Sequence, residues 1–222
     1  MPFRDRTDAG RRLARALIGY KDQHPIVLAL PRGGVPVAAE VARALDAPLD
    51  LLLVRKIGVP FHAELAMGAV VDGSAPLVVR NEDIIRMARV SEAEFAAIRD
   101  HELAEIKRRR ICYLGERPHP DLKGRVVIVI DDGIATGASI RAALRAVRKQ
   151  KPSRVILAVP VAPTSTLEEL SDEADEILCL EDHEPFGAVG AYYADFGQTS
   201  DEEVTALVAG SPVQSPARAG TR

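Results

Sequence analysis

Short apolar runs alternate with amphipathic stretches along most of the chain. The runs are IVLAL (26–30), DLLLV (50–54), VVIVI (126–130), VILAV (155–159) and EILCL (176–180). Continuous apolar runs of this length are typical of parallel strands that are covered on both faces. Apolar residues at helical spacing follow several of them, over 35–45, 136–149 and 165–173. This alternation predicts an α/β protein with a Rossmann-like parallel sheet flanked by helices.

Between the second and third runs the pattern changes. The stretch MGAVVDGSAPLVV (67–79) predicts a hairpin with its turn at Asp72-Gly73. Residues 81–116 predict a charged helical insertion in which Ser91 and Glu94 form a capping box. The apolar positions on one side of that helix are Phe95, Ile98, Leu103, Ile106 and Tyr113.

Two charged segments complete the pattern. From Arg11 to Tyr20, leucines and alanines fall on one helical face and arginines on the other, which predicts a short amphipathic helix near the N-terminus. The run KRRR (107–110) is either a solvated helix face, which we favour, or a patch for nucleic acid.

Composition narrows the classes of function. The chain has 222 residues with 47% apolar and 27% charged positions and a net charge of −3, so binding to nucleic acid or membrane is not expected. No apolar run reaches the length of a membrane span, and the N-terminus has no signal-peptide core. Cys112 and Cys179 have no metal-ligand spacing, so we expect free thiols and a cytoplasmic location. We expect one domain over 1–209 and a disordered tail over 210–222.

The candidate chemistry lies at the ends of the strands. Asp131-Asp132 follow VVIVI, Pro31-Arg32-Gly33-Gly34 follow IVLAL, and Arg55-Lys56 follow DLLLV. Ligands of open parallel sheets bind at the carboxyl ends of the strands, so these residues are expected to converge. Taken alone, PRGG is explained equally well as a tight turn with a surface arginine, and Arg55-Lys56 as surface charge.

The loop after the aspartates predicts a phosphate site. Small residues between a strand and a helix let backbone N–H groups approach an anion, and the helix dipole favours its charge. Thr136 and Ser139 add hydroxyl donors. Ionised carboxylates only accept hydrogen bonds, so Asp131 and Asp132 would face ribose hydroxyls or a hydrated Mg²⁺. A plain helix cap and turn would not explain two charges after a buried strand.

At this point a family resemblance is evident. The segment VIVI-DD-GIA-TGAS (127–139) resembles the phosphoribosyl pyrophosphate motif of type I phosphoribosyltransferases. LPRGG resembles the family's pyrophosphate loop and VRK the start of its mobile catalytic loop, and the order of these motifs matches over most of 26–180. The whole chain is similar to bacterial phosphoribosyltransferase-domain proteins with PRGG, DDGIATG and a terminal GAVGAYY.

The resemblance implies a role for each motif. The 5′-phosphate would be held by the segment Gly133, Ile134, Ala135, Thr136, Gly137, Ala138 and Ser139. Asp131 and Asp132 would hold the ribose 2′- and 3′-hydroxyls and contact Mg²⁺ indirectly, because the metal is bound largely by the substrate. Arg32, Gly33 and Gly34 would hold pyrophosphate, and Arg55 and Lys56 would add charge from a lid over 57–68. A small hood near the C-terminus would complete the fold.

The acceptor is the open part of the resemblance. Ala135 replaces the aspartate of the hypoxanthine-guanine branch, which argues against that branch. Adenine-type members carry a glutamate in the mobile loop, so Glu64 is a candidate acid, although an exposed loop charge explains it as well. Aromatic residues of the hood, which are Phe186, Tyr192, Tyr193 and Phe196, would either stack on a base or pack as a core.

Three kinds of function remain open at this stage. The favoured one is an enzyme of nucleotide salvage that transfers phosphoribosyl to a nitrogenous base with release of pyrophosphate, and that forms a homodimer as the family implies. The second is a regulatory protein that senses phosphoribosyl pyrophosphate or a nucleotide without chemistry. A hydrolase or phosphatase that uses the aspartates is weaker, because the loop places no nucleophile.

Overall fold

Two sheets and seven helices organise the described part of the chain. The structure is a computed structural model that describes residues 2–73 and 75–211, apart from the side chains of residues 63 and 64. The strands are β1 (Ile26–Ala29), β2 (Leu49–Leu51), β3 (Val54–Val59), β4 (His62–Val71), β5 (Leu77–Arg80), β6 (Val126–Ile130), β7 (Arg154–Pro163) and β8 (Glu176–His183). The helices are α1 (Arg6–Ala16), α2 (Gly34–Leu45), α3 (Glu82–Met87), α4 (Glu92–Leu114), α5 (Ala138–Lys149), α6 (Thr164–Leu170) and α7 (Asp201–Ala209).

The main sheet is parallel and has the order β2-β1-β6-β7-β8. Its central strands are apolar throughout because helices cover both faces. On one face Val27 and Ile128 pack with residues of α1, α2, α4 and α7. On the other face Leu28 and Val129 pack with residues of α5 and α6. The predicted Rossmann-like α/β fold is therefore confirmed.

The second sheet is small and antiparallel, in the order β3-β4-β5. The predicted hairpin is present, since Val71 pairs with Leu77 on either side of the turn that contains Asp72 and Gly73. The predicted helical insertion is also present as α3 and α4. Ser91 caps α4, and its capping box with Glu94 is complete.

The boundaries of two predicted elements are wrong. The predicted helix over 11–20 begins earlier, at Arg6, because the Asp5 side chain accepts a hydrogen bond from the Asp8 N–H at 2.7 Å. Past Leu17 the chain continues as a 3₁₀ helix, Ile18–Gln23. The run DLLLV is not one strand, because β2 ends at Leu51 and β3 of the small sheet begins at Val54.

Helix α7 was not predicted. It packs two residues, Val204 and Val208, into the core, and Ser200 caps it by accepting from the Glu203 N–H. The Ser200-x-x-Glu203 spacing was the signal that could have found this helix. The predicted tail from 212 onward lies outside the described residues. Among the described helices, none is both long and apolar enough to cross a bilayer.

The run KRRR is not simply a solvated helix face. Arg108 and Arg109 do pair with Glu105 of the same helix, as a solvated face would. Arg110, however, is buried and its guanidinium lies 3.1 Å from Asp50 Oδ2 and 3.0 Å from Asp72 Oδ2. Asp50 belongs to β2 and Asp72 follows β4, so Arg110 of α4 joins the small sheet to the main sheet. Burial raises the pKa of Asp72, which the positive charge of Arg110 opposes.

We expect the Arg110→Ala substitution to lower the free energy of unfolding by about 3–5 kcal/mol, because two buried carboxylates lose their common partner. The measurement is urea unfolding followed by circular dichroism. The matched control is Arg108→Ala on the exposed side of the same helix, which should leave the unfolding curve unchanged. Equal effects of the two substitutions would contradict the proposed role of the buried cluster.

Candidate functional site

Two of the three predicted groups of residues meet at the carboxyl edge of the main sheet. Strands β1 and β6 are neighbours, with Ala29 opposite Ile130, and the Leu30 N–H donates to the Ile130 carbonyl at 2.9 Å. The loops after them, Pro31 to Gly34 and Asp131 to Gly137, therefore lie side by side. This adjacency arises because β6 lies next to β1 in the sheet. It agrees with the expectation that residues at the carboxyl ends of neighbouring parallel strands converge.

The two glycines of the PRGG loop make room for the two aspartates. A Cβ at Gly33 would lie 2.0 Å from Asp132 Oδ2, and a Cβ at Gly34 would lie 2.9 Å from the Asp131 Cα. The sequence argument assigned these glycines to close approach by a ligand. The structure gives a second reason, since any side chain at 33 would displace the Asp132 carboxylate. The peptide bond between Pro31 and Arg32 is cis.

Asp131 and Asp132 are close enough to influence each other strongly. The Asp132 N–H donates to Asp131 Oδ1 at 2.8 Å. Burial, followed by the charge of Asp132, raises the pKa of Asp131 well above its usual range. A positively charged or hydrogen-bond-donating ligand would stabilise the ionised pair.

Arg6 is a site residue that the sequence argument missed. Its Nε donates to Asp132 Oδ2 at 2.7 Å from the first turn of α1. The side chain of Arg6 is only 13% exposed in this ion pair. A lone arginine 126 positions away in sequence carries no local signal of this contact.

The glycine-rich loop presents its backbone and two hydroxyl side chains. Ile134 is buried and its N–H donates to the Val161 carbonyl at 3.0 Å, so its side chain belongs to the core. Gly137 has φ of 70° and lies where a Cβ would be 2.9 Å from Thr166 Cγ2, so only glycine fits without strain. Helix α5 begins at Ala138, and N–H groups in the first turn of a helix lack intrahelical acceptors. Thr136 and Ser139 border this helix start.

A cavity of about 490 Å³ adjoins the loop. Its lining includes Thr136 and Ser139 from the loop, small residues of β4 and α5, and four cationic side chains, which are Lys56, Arg80, Arg141 and Arg145. Three of these cations have acidic partners, since Arg80 pairs with Glu92, Arg141 with Glu169 and Arg145 with Glu173. Within the described residues, the structure records no such pair for Lys56. The cavity can therefore accept an anion next to Lys56.

Arg55 and Lys56 do not act together in this structure. Both lie on β3 of the small sheet rather than in a loop at the end of β2. Arg55 forms an ion pair with Glu102 of α4, while Lys56 lines the cavity. The predicted lid, 57–68, is built from the ends of β3 and β4. The side chain of Glu64 lies outside the described part, so its candidate role as an acid stays a prediction.

Residues 184–199, which we call the hood, cover the aspartates. The Tyr193 hydroxyl donates to the backbone oxygen of Asp132 at 2.5 Å. Val189 lies against Gly133, where a Cβ would be 2.5 Å from Val189 Cγ1. The N-terminus holds the hood in place, since the Ala194 N–H donates to the Phe3 carbonyl at 2.8 Å.

The four predicted acceptor residues pack largely against other rings. Tyr192 stacks on His183 and Phe186 with centroids 4.6 and 4.9 Å apart. Tyr193 is 6% exposed and packs against Phe3. Phe196 is 37% exposed and lies under the Arg6 guanidinium at 3.9 Å. The packed-core interpretation therefore describes Tyr193, and an acceptor role for the others stays a prediction.

The carboxylate oxygens of Asp131 and Asp132 suit a hard cation such as Mg²⁺ whose other ligands come from a bound substrate and water. In the described part of the chain, no group of three or more His, Cys, Asp or Glu side chains is placed to bind a metal ion. Asp131 and Asp132 offer two carboxylates at one edge of the sheet. Mg²⁺ commonly binds to one or two carboxylates together with substrate phosphates and waters, which fits this pair.

Comparisons with known proteins agree with this picture. A family model described as "Phosphoribosyl transferase domain" matches residues 4–195. Proteins of two Mycobacterium tuberculosis strains, each provisionally named a phosphoribosyl transferase, are 45% identical over 206 residues. The match covers 93% of this chain but 46% of the relatives, so the chain spans less than half their length. The crystal structure of TT1426 from Thermus thermophilus has a TM-score of 0.76 and 43% identity, over 94% of this chain and 98% of that one.

We expect Gly33→Ala to displace the Asp132 carboxylate, because the new Cβ would meet it at 2.0 Å. Overpacking of this kind costs about 1–3 kcal/mol, which urea unfolding would measure, and a crystal structure of the variant would show the shift. Gly19→Ala is the matched control, since a Cβ there would have no neighbour within 4 Å. An undisturbed Asp132 in the Gly33→Ala variant would refute this account.

Proposed function

The chain belongs to the phosphoribosyl transferase domain family, and on this premise we propose that it is an enzyme of nucleotide salvage. It transfers the 5-phosphoribosyl group from phosphoribosyl pyrophosphate to a nitrogenous base and releases pyrophosphate. The observation that carries the proposal is the junction of two loops at one sheet edge. A carboxylate pair, a glycine-rich phosphate loop and the PRGG loop lie together there.

Each part of this junction matches one part of the donor substrate. The first turn of α5, with Thr136 and Ser139, receives the 5′-phosphate through N–H and hydroxyl donors. Asp131 and Asp132 accept hydrogen bonds from the ribose 2′- and 3′-hydroxyls. Arg32 and the backbone of Gly33 and Gly34 receive the pyrophosphate, because a guanidinium can donate to two phosphate oxygens at once.

The reaction separates charge, and the residues stabilise each pole. As the bond between ribose C1 and pyrophosphate lengthens, the ring becomes cationic and the pyrophosphate, which is already anionic, takes the bonding electron pair and one more negative charge. Asp131 and Asp132 lie on the ribose side, while Arg32 and Lys56 place positive charge near the phosphates. Mg²⁺ held by the substrate would add further charge to the leaving group. Closure of the segment 57–68 would exclude water, which otherwise hydrolyses the donor.

The acceptor enters on the hood side of the aspartates. Tyr193 and Val189 hold the hood against Asp132 and Gly133, which supports an acceptor site on this side of the ribose. Phe186, Tyr192 and Phe196 are the hood rings with partly exposed surface, so a planar base can stack there. We further propose a homodimer in the cytoplasm.

The decisive experiment measures pyrophosphate release from phosphoribosyl pyrophosphate and Mg²⁺ with adenine, guanine, hypoxanthine, xanthine, uracil or orotate. We expect release with at least one base. The double variant Asp131→Asn, Asp132→Asn should lose donor affinity by about 100-fold or more, since hydrogen bonds to charged acceptors contribute roughly 1.5–3 kcal/mol each. Calorimetry measures the affinity, and circular dichroism verifies the fold.

The outcomes separate the candidate functions. Release with one base identifies the acceptor. Donor binding without release for any base would favour the regulatory sensor. Unchanged donor affinity in the double variant would refute the assignment of the ribose hydroxyls to the aspartates.

Lys56 and Arg55 form a matched pair for testing the lid. Lys56→Ala should lower kcat about 10- to 100-fold with a smaller change in KM, because closure of the segment 57–68 would bring its charge from the cavity to the leaving group as that group gains negative charge. Arg55→Ala removes the ion pair with Glu102 and should affect stability more than kcat. Steady-state kinetics with equal losses of kcat in both variants would contradict this division of roles.

A further inference from the structure

Arg6 makes three contacts that join separate parts of the site. Its Nε donates to Asp132 Oδ2 at 2.7 Å, and its Nη1 donates to the Gly197 carbonyl at 2.6 Å. Its guanidinium carbon lies 3.9 Å from the centre of the Phe196 ring. These three contacts together restrict the orientation of the Arg6 side chain. Arg6 is therefore a fixed bridge between α1, the hood and the loop after β6.

Arg6 also provides a positive charge that partly neutralises the aspartate pair. Two adjacent carboxylates at the end of a buried strand repel each other and are costly without a partner. Among the described residues, Arg6 is the basic side chain recorded in an ion pair with either of them. Arg32 of the neighbouring PRGG loop instead has its Nη1 3.6 Å from Asp201 Oδ1 of α7.

The contacts fix Asp132 on three sides. Arg6 holds Oδ2, and the carboxylate occupies the space that a side chain at Gly33 would fill, since a Cβ there would lie 2.0 Å from Oδ2. The Tyr193 hydroxyl holds the main-chain oxygen of Asp132 at 2.5 Å. Arg6 donates to Oδ2, whereas the structure records no donor to Oδ1 among the described residues, so Oδ1 can accept from a ligand hydroxyl.

We infer that Arg6 is a positioning residue for the phosphoribosyl donor. It holds Asp132 Oδ2 so that Oδ1 accepts a hydrogen bond from the sugar, and it couples the hood at Phe196 and Gly197 to the sugar site. This inference rests on the proposed function. Because Arg6 acts on bound sugar through Asp132, its loss should weaken donor binding more than it slows the chemical step.

If Arg6 instead competed with the sugar for Asp132, the expected change in donor affinity would have the opposite sign. If Arg6 only neutralised Asp132 until the sugar displaced it, the sugar would have to break the ion pair in order to bind. Removal of the cation would then tighten donor binding. The direction of the change in affinity therefore distinguishes a positioning residue from a competitor for the site.

The test uses the whole chain with the substitutions Arg6→Gln, Arg6→Lys and Arg11→Gln. Arg11 lies on the same helix, where it pairs with Glu40 at the surface, and serves as the control. Calorimetry gives the affinity for phosphoribosyl pyrophosphate with Mg²⁺. Steady-state kinetics give KM for the donor and kcat, and thermal unfolding verifies the fold of each variant.

We expect Arg6→Gln to raise the donor Kd and KM about 10-fold and to change kcat less than about 3-fold. Arg6→Lys keeps the charge but lacks the planar fork, so its KM should be raised about 3-fold, between the parent and Arg6→Gln. Arg11→Gln should match the parent. This graded rescue would not arise from a general loss of folded protein, which lowers kcat and leaves KM unchanged.

Several results would overturn the inference. Unchanged or tighter donor binding by Arg6→Gln would do so, as would a loss confined to kcat. Should Arg6→Gln fail to fold, Arg6→Lys decides the matter, and a KM at or below the parent value counts against Arg6. Absence of donor binding by the parent protein would instead refute the proposed function, and the inference with it, whereas a parent that binds normally isolates the role of Arg6.

Discussion

The site is organised around the repulsion between Asp131 and Asp132, two like charges at the end of a buried strand. Such a pair is unfavourable in a nonpolar setting unless other groups compensate it. Burial and the charge of Asp132 raise the pKa of Asp131, and Asp132 forms an ion pair with Arg6. The absence of side chains at positions 33 and 34 then lets the neighbouring loop close around both carboxylates. Under the proposed function, sugar hydroxyls would donate to the remaining carboxylate oxygens and add to this compensation without displacing Arg6.

A second charged cluster determines how the small sheet lies relative to the main sheet. Arg110 of α4 pairs with Asp50 of β2 and with Asp72, which follows β4. Arg55 adds a further link through Glu102 of the same helix. Because both links hold the small sheet against α4, Lys56 lies on the cavity next to Thr136 and Ser139. The insertion between β5 and β6 therefore positions the lid, although none of the Arg110 cluster lines that cavity.

Residues near the start of the described chain hold the hood in place. Phe3 pairs with residues around Tyr193, and Arg6 reaches Phe196 and Gly197. The hood in turn holds the backbone of Asp132 through Tyr193. This closed set of contacts makes the geometry of the carboxylate pair depend on the N-terminal residues. The position of the hood therefore depends on the same aspartate that we propose as a ligand of the sugar.

Local patterns determined the strands of the main sheet, the capping box of α4, the hairpin at Asp72-Gly73 and the grouping of PRGG with the aspartates, since each depends on neighbouring residues or on a rule of parallel sheets. Tertiary structure alone decided that Arg6 pairs with Asp132, that Arg110 is buried, and that Lys56 rather than Arg55 lines the cavity. The split of DLLLV into two strands also depended on which sheet each half could join. Charged side chains have no period or spacing that encodes a distant partner. Their pairing follows from where the folded backbone brings them, and so the sequence predicted the loops of the candidate site while the fold decided how their charged residues pair.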